Sequence, residues 1–423
     1  MCEKKKIIMA IIIGLGDRGA HVYGNYILRN QNDIKIVAIS DVNKQRMRNI
    51  SLAHGIKPEM CFDDWNIIIE KKIKCDIVII TTPDRFHFIQ AKAFLQNGYN
   101  VMLEKPMGVT IEESSSLVQI AAESGKQLII CHVLRYTLFF KKIKQIIENG
   151  RLGKIICIQH NENIGIEHFA HSYVRGNWRK RIDSGPAILT KCSHDMDILN
   201  WLADSKCVRL VSFGKLNYFN KESAPDDCPE RCINNCKYSE NCPFCTSKIY
   251  LTENTDWPVH VISDDLSIEG RTDALRKTPY GKCVFKSKND VVDNQCTILE
   301  FKNGICVSFI MSAFTPENNR TIKILCTGGQ ISGNLEKGEI AVHEYSNSEI
   351  SKILLPSTSG NHAGGDDKIM YDLIRILKSS SYNCKTNAFE SFESHLMAFA
   401  AEESRISGEI IDMQKYRNRV FQK

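Results

Sequence analysis

The stretch Ile7-Ile8-Met9-Ala10-Ile11-Ile12-Ile13-Gly14-Leu15-Gly16-Asp17-Arg18-Gly19 decides the fold. An unbroken apolar run, rich in β-branched residues, meets glycines spaced G-x-G-x-x-G. Such a run reads as a strand buried on both faces. Glycine at 14, 16 and 19 permits a tight turn, backbone approach to a pyrophosphate and close helix packing. Residues from about Gly19 to Arg29 look helical, and free N–H groups at a helix start suit an anion. Alone the motif is a weak signal, because glycine turns are common. Lys4 to Lys6 ahead of the run mimic a signal peptide. No small-residue cleavage site follows, and the run is too short to cross a bilayer.

Working outward, Ile34–Ser40 reads as a second strand and ends at Asp41. An acidic residue about 20 positions past the glycine turn can bind the ribose hydroxyls and would repel a 2′-phosphate. NAD is therefore expected over NADP. Asp76–Ile80, Val101–Glu104 and Leu128–Cys131 read as later strands, with helices at Phe88–Gln96 and Ile111–Ser124. Strands alternating with helices predict an α/β fold with a doubly wound parallel sheet. Ligands of such sheets sit beyond the carboxyl ends of the strands. Three segments fall at that edge: Thr81-Thr82-Pro83-Asp84-Arg85-Phe86-His87, Glu104-Lys105-Pro106 and His132-Val-Leu-Arg135-Tyr136.

The bulk numbers set the class. The chain has 423 residues, 43% hydrophobic and 25% charged, which suits a soluble globular protein of two or three domains. A net charge of +6 over 55 basic and 49 acidic residues, with no basic stripe, implies no nucleic-acid partner. No stretch reaches transmembrane length, so no membrane partner is expected. Most of the 17 cysteines lie singly in apolar or strand-like runs, as reduced thiols do in a cytoplasmic protein.

With these segments in hand, the sequence resembles the Gfo/Idh/MocA oxidoreductases, the family of glucose-fructose oxidoreductase and inositol dehydrogenase. The resemblance covers nearly the whole chain. It rests on the glycine turn, Thr81-Thr82-Pro83 with His87, Glu104-Lys105-Pro106, Asn149-Gly150-Arg-Leu-Gly153, His194-Asp-Met-Asp197 and His362-Ala-Gly-Gly-Asp366. It implies a Rossmann NAD-binding domain at 1–130. A substrate-binding and oligomerisation α/β domain with a large, mostly antiparallel open sheet would follow at 131–423. A homo-oligomer, dimer or tetramer, is expected. The implied cofactor residues are Gly14, Gly16, Asp17, Arg18, Gly19, Asp41, Thr81, Thr82, Pro83, His87, Glu104 and Lys105.

Two residues are the expected catalytic pair. Pro106 biases Lys105 away from helix and can be cis. A cation there can hold the reacting oxygen. His194 opens an amphipathic helix beginning near Ser193, with Asp197 on the same face. A histidine so placed suits proton transfer near neutral pH, although a helix-capping role is the simpler reading. The resemblance places the catalytic histidine here. Many members carry an aspartate four residues earlier. Thr190 stands there, cannot act as a base, and is followed by Lys191, a candidate second cation. Arg135, Tyr136, His168, Tyr173, Trp178, Lys191, Asp197 and His362 are the candidate substrate residues. His168 and His171 could also bind metal, but no third ligand is evident, and a pocket loop is favoured. Asp366 reads as a helix N-cap.

Residues 228–245 carry Cys228, Cys232, Cys236, Cys242 and Cys245 among three prolines, inside an insertion at about 221–250. A structural zinc held by Cys232, Cys236, Cys242 and Cys245, with Cys228 as alternative, is expected to fold a loop poor in apolar residues. An iron–sulfur cluster, disulfides and a metal-free loop are the alternatives.

These features predict an NAD-dependent oxidoreductase moving a hydride between nicotinamide and a secondary hydroxyl or keto group of a sugar, glycoside or cyclitol. The competing readings are an NAD-dependent glycoside-cleaving enzyme using transient oxidation, and a non-catalytic NAD or sugar sensor.

Overall fold

The computed structural model describes residues 6–347, 350–356, 361–379 and 384–421. The first sheet has six parallel strands: β1 (Ile8–Ile13), β2 (Ile34–Ser40), β3 (Cys61–Phe62), β4 (Ile77–Ile80), β5 (Val101–Leu103) and β6 (Leu128–Ile130). Their spatial order is β3-β2-β1-β4-β5-β6. The order reverses beside β1, so a crevice opens at the carboxyl end of β1, where the glycine turn lies. Ile8, Ile11, Ile12 and Ile13 are buried, as expected of a central parallel strand. The short β3 went unread in the sequence, because two residues carry no periodic signal.

The second sheet has nine strands: β7 (Ile155–Gly165), β8 (Cys207–Lys215), β9 (Asn294–Phe301), β10 (Cys306–Thr315), β11 (Asn319–Cys326), β12 (Gly329–Asn334), β13 (Glu339–Glu344), β14 (Ile350–Leu354) and β15 (Ile411–Asp412). The order is β14-β13-β12-β11-β7-β10-β9-β8-β15. Among the described residues of this sheet, only β7 and β10 pair in parallel; the other ladders are antiparallel. The expected architecture of both sheets is present.

The chain then returns to the first sheet. Helix Gly365–Lys378 places Ile369, Met370, Leu373 and Ile374 in a core shared with Ile8, Ile12 and Ile129. Helix Ala388–Ser407 runs between the two sheets, and Ile130 N–H donates to the Thr386 carbonyl just before it. The two halves are therefore joined by late sequence as well as by the direct linker.

Between β8 and β9 the chain makes a long excursion holding the cysteine segment. The expected zinc site is not supported. Among the described residues, no group of three or more His, Cys, Asp or Glu could hold a metal ion. Cys232, Cys236 and Cys242 are partly exposed, while Cys228 and Cys245 are buried. The reason is that the loop is not short of apolar contacts. Phe244 packs edge-on against Phe219 at 5.5 Å, and Phe285 and Tyr218 join them. The buried Arg175 guanidinium donates to the carbonyls of Phe244 (2.7 Å) and Lys282 (2.8 Å), and reaches Cys232 Sγ at 3.5 Å. Aromatic packing and one buried arginine do the ordering expected of a metal. Cys283, far along the chain, lies 3.9 Å from Cys228, sulfur to sulfur.

Candidate active site

The glycine turn is shaped for a dinucleotide. Gly14 has φ +88°, which disfavours a side chain, and a Cβ on Gly19 would lie 2.0 Å from the Gly14 carbonyl oxygen. A Cβ on Gly16 would meet nothing within 4 Å, so space is open where a pyrophosphate must approach. Asp41 accepts hydrogen bonds from the N–H groups of Leu15 (2.5 Å) and Asn43 (2.7 Å), which sets its carboxylate at the rim of this space. Thr81 Oγ1 donates to the Gly14 carbonyl at 2.6 Å. These residues fit the group that the turn predicts.

Other predicted cofactor residues hold the frame. Arg18 donates to Glu104 (2.6 Å), Tyr23 (2.7 Å) and Asp366 (2.7 Å), tying the turn to the Glu-Lys-Pro segment and to the late helix. His87 places its ring nitrogens 2.7 Å from the Pro106 carbonyl and 2.8 Å from the Thr82 carbonyl. It thus links two cofactor loops and leaves neither nitrogen for a ligand. Pro83 precedes a short turn that buries Asp84.

Lys105 precedes a cis peptide bond to Pro106, and its ammonium donates to the Thr190 carbonyl. Burial lowers its proton affinity, against the pull of Asp84 and Glu104. Asp84 accepts from the Trp178 indole N–H at 2.9 Å, and the Lys105 ammonium lies 6.0 Å from the Trp178 ring centroid. His194 is 3% exposed, and its Nδ1 has no hydrogen-bond partner. Burial holds its imidazole well below the ordinary value, and the nearby Lys105, His362 and His132 add to the effect. His362 lies 5.5 Å away, ring to ring, and is fixed by Asp366 at 3.1 Å. Its φ of 54°, followed by 48° at Ala363, is uncommon for residues with a Cβ. Lys105, His194, His362 and Trp178 thus converge beyond the ends of the parallel strands.

Several candidates do not. Arg135 and Asp197 bind each other bidentately at 2.6 and 2.7 Å in the interior. Both charges are spent, so neither is free for a substrate, and Asp197 does not serve His194. Tyr136 is buried with its hydroxyl 3.3 Å from Thr386. Tyr173 is buried between Phe169 and Trp178, stacking on both. His171 bonds the Tyr250 hydroxyl at 2.9 Å and is also buried. His168 bonds Asn318 at 2.7 Å and lies within electrostatic reach of Lys191 and His362, so it borders the site.

Sequence reading named Lys191 but missed the rest of the floor on which it sits. Lys191 lies 3.3 Å from Glu162, which meets Arg320 at 2.6 Å; Arg320 also bonds Asp195 at 2.9 Å, and Asp195 bonds His160 at 2.8 Å. His160 and Glu162 sit on alternate, inward-facing positions of β7, flanked by buried Ile158 and Ile164. Two polar residues on the buried face of a strand were the available signal.

The comparisons with known proteins agree with this geometry. The family model described as "Oxidoreductase family, NAD-binding Rossmann fold" matches residues 8–132, and its partner, "Oxidoreductase family, C-terminal alpha/beta domain", matches 144–378. The chain belongs to the Gfo/Idh/MocA family. It is an NAD-binding oxidoreductase. Among Gfo/Idh/MocA relatives, the oxidoreductase YteT of Bacillus subtilis (strain 168) is 26% identical over 337 residues, 76% of each chain. Inositol 2-dehydrogenase of Burkholderia cenocepacia (strain HI2424) is 24% identical over 196 residues, 45% of this chain and 53% of that protein. An Agrobacterium radiobacter oxidoreductase solved with NAD+, L-tartaric acid and magnesium superposes with a TM-score of 0.68 at 16% identity. That superposition covers 97% of this chain and 99% of the other, and it shows a shared fold. Among the described residues, no helix is long and apolar enough to cross a membrane.

Proposed function

We propose that this enzyme interconverts a secondary hydroxyl and a keto group on a sugar, glycoside or cyclitol, with NAD preferred over NADP. The observation that carries the reading is the pairing of a neutral, unpartnered His194 with the Lys105 ammonium at one end of the dinucleotide groove. Gly14, Gly16, Gly19, Asp41 and Thr81 would hold the cofactor. When bound, NAD supplies the hydride acceptor or donor. His194 takes the hydroxyl proton as the carbinol is oxidised, and returns it in the reverse direction. Lys105 steadies the substrate oxygen as negative charge develops on it. Trp178, His168 and His362 line the approach, an aromatic and hydrogen-bonding surface suited to a polyol. Inositol 2-dehydrogenase among the relatives supports the substrate class.

The nine-stranded sheet supports the homo-oligomer. Phe213, Ile298, Ile310 and Phe314 each follow a buried residue and stand exposed on its outer face. A cytoplasmic location fits the many free thiols. The test of function is a panel of sugars, glycosides and cyclitols incubated with NAD or NADP, following reduced-cofactor absorbance. Turnover of polyols with NAD is expected. Turnover only of non-carbohydrate alcohols would defeat the substrate assignment.

A further inference from the structure

The excursion between β8 and β9 does more than carry cysteines. After helix Thr246–Tyr250 it runs back across the molecule, meets the border of the active site, and then reaches the first domain at two places. Trp257 packs edge-on against His168, ring centroids 5.0 Å apart, at the border of the active site. Three residues on, His260 Nε2 lies 3.0 Å from Asp17 of the glycine turn, and its ring is 5.0 Å from that of His21. Four residues further, Asp264 accepts from Asn43 at 2.5 Å and from Arg46 at 2.8 Å. Asn43 and Arg46 follow Asp41, whose carboxylate marks the ribose end of the groove.

The order of these contacts matters. A dinucleotide in this fold extends from the catalytic end, past the glycine turn, to the acidic residue at the end of β2. Trp257, His260 and Asp264 meet those three stations in the same order. Asp17 belongs to one wall of the groove, Asn43 and Arg46 to the other. A segment bonded to both walls spans the groove between them. It is also anchored from behind. Arg271 donates to the carbonyls of Tyr250 (2.8 Å) and Thr252 (2.9 Å), and Ile262 is buried with Tyr250 and Leu275 in a small core of its own.

We infer that residues 256–264 form a roof over the cofactor groove, and that His260 and Asp264 are cofactor-retaining residues. This rests on NAD occupying the glycine-turn groove, as proposed above. The Arg46–Asp264 pair is partly exposed and weak by itself. Joined to His260 on one anchored segment, the contacts open together, so the roof acts on cofactor release. The cofactor leaves slowly because the segment must lift before it can pass.

The test uses the full-length protein and NADH. Binding and release are followed by NADH fluorescence, with release triggered by excess NAD. The double variant His260→Ala/Asp264→Ala should release NADH about tenfold faster than wild type, the loss of one modest polar tie. Asp264→Asn, which keeps a partner for Asn43 but loses the ion pair to Arg46, should fall between. Hydrogen exchange of the wild type gives a second readout that needs no variant: NADH should slow exchange at 256–264. Release unchanged within twofold in the double variant, or no protection of 256–264 by bound NADH, overturns the roof and leaves the cofactor reading standing. No NADH binding by the wild type overturns both.

Discussion

Lys105 and His194 are the residues proposed to carry the chemistry, and their surroundings suit them to it. His194 is buried and Lys105 partly so, and desolvation shifts each toward its neutral form. His194→Ala and Lys105→Met should each lower kcat by about a hundredfold or more, the loss of about 3 kcal/mol of transition-state stabilisation, while NADH still binds. Fluorescence titration beside steady-state kinetics separates the two effects. Turnover at the wild-type rate in either variant would remove that residue from the mechanism. Asp41 is proposed to make a different kind of contribution. Its carboxylate sits at the groove rim, where it would repel a 2′-phosphate. Asp41→Ser should narrow the gap between NAD and NADP affinities, measured by titrating both. A gap that stays as wide shows that some other feature rejects NADP. Asp41 and Lys105 stood out in the sequence because each lies just past a strand of the parallel sheet, whereas His194, at the start of a later helix, was singled out by the family resemblance. Tyr136 turns into the interior toward Thr386, while Arg135 and Asp197 pair with each other. Residue type reveals that a charge exists, and only packing reveals whether another charge already consumes it.

Helix Ser193–Ala203 shows what one element does for the site. It presents His194 toward the cofactor groove and Asp195 toward Arg320 and His160, while Asp197 turns toward Arg135. Three polar side chains leave the helix in three directions, and Asp195 and Asp197 each meet buried partners. Asp197→Ala strands the Arg135 guanidinium in the interior and should destabilise the fold by about 3–5 kcal/mol, read as a lowered midpoint of urea unfolding. A shift under about 1 kcal/mol would mean that water reaches Arg135. The outer face of the large sheet makes the second test at this level. Ile298 pairs with Val211, and Ile310 with Cys296, so Ile298 and Ile310 stand on adjacent strands. Ile298→Asp with Ile310→Asp should shift the protein to a smaller species in light scattering after size exclusion. An unchanged mass places the interface elsewhere. The strands of this sheet were expected only from the family resemblance, and the polar members of β7 were passed over because their partners, Lys191 and Arg320, come from elsewhere in the chain.

Across the protein, histidines are buried where the two halves meet. His395, on helix Ala388–Ser407, accepts the Met107 N–H at 3.0 Å and bonds the Ser391 carbonyl at 2.9 Å, fixing the loop just after Lys105. Burial pushes His395 from 6.5 to about 3, and His171 likewise to about 3, with His132 and His194 also well below 6.5. The unfolded chain therefore binds more protons than the folded one below pH 6.5. Stability from these groups is complete above that value and falls as the pH drops toward the folded values. Each such histidine removes about 1.4 kcal/mol per pH unit within the window. Thermal midpoints measured from pH 7.5 down to 5 should decline steeply, and His395→Gln should flatten the slope. A flat profile would show that the histidines stay solvated. No reading along the chain could join His395 to Met107, which lie 288 positions apart.

The sequence by itself determined the parallel first sheet, the glycine cradle, the acidic residue at the end of β2 and the place of Lys105 just past β5. These are local matters: a strand, a turn and a cap are written in adjacent residues, and their chemistry follows from side-chain type and spacing. Tertiary structure alone decided the rest. It paired Arg135 with Asp197, built the Lys191–Glu162–Arg320–Asp195–His160 floor, and brought Cys283 to Cys228. It filled the cysteine loop with aromatic rings and a buried arginine, and laid Trp257, His260 and Asp264 along the cofactor groove. Each of these is a contact between residues far apart in the chain. Their energies depend on burial and on the partner's distance, neither of which exists until the chain has folded.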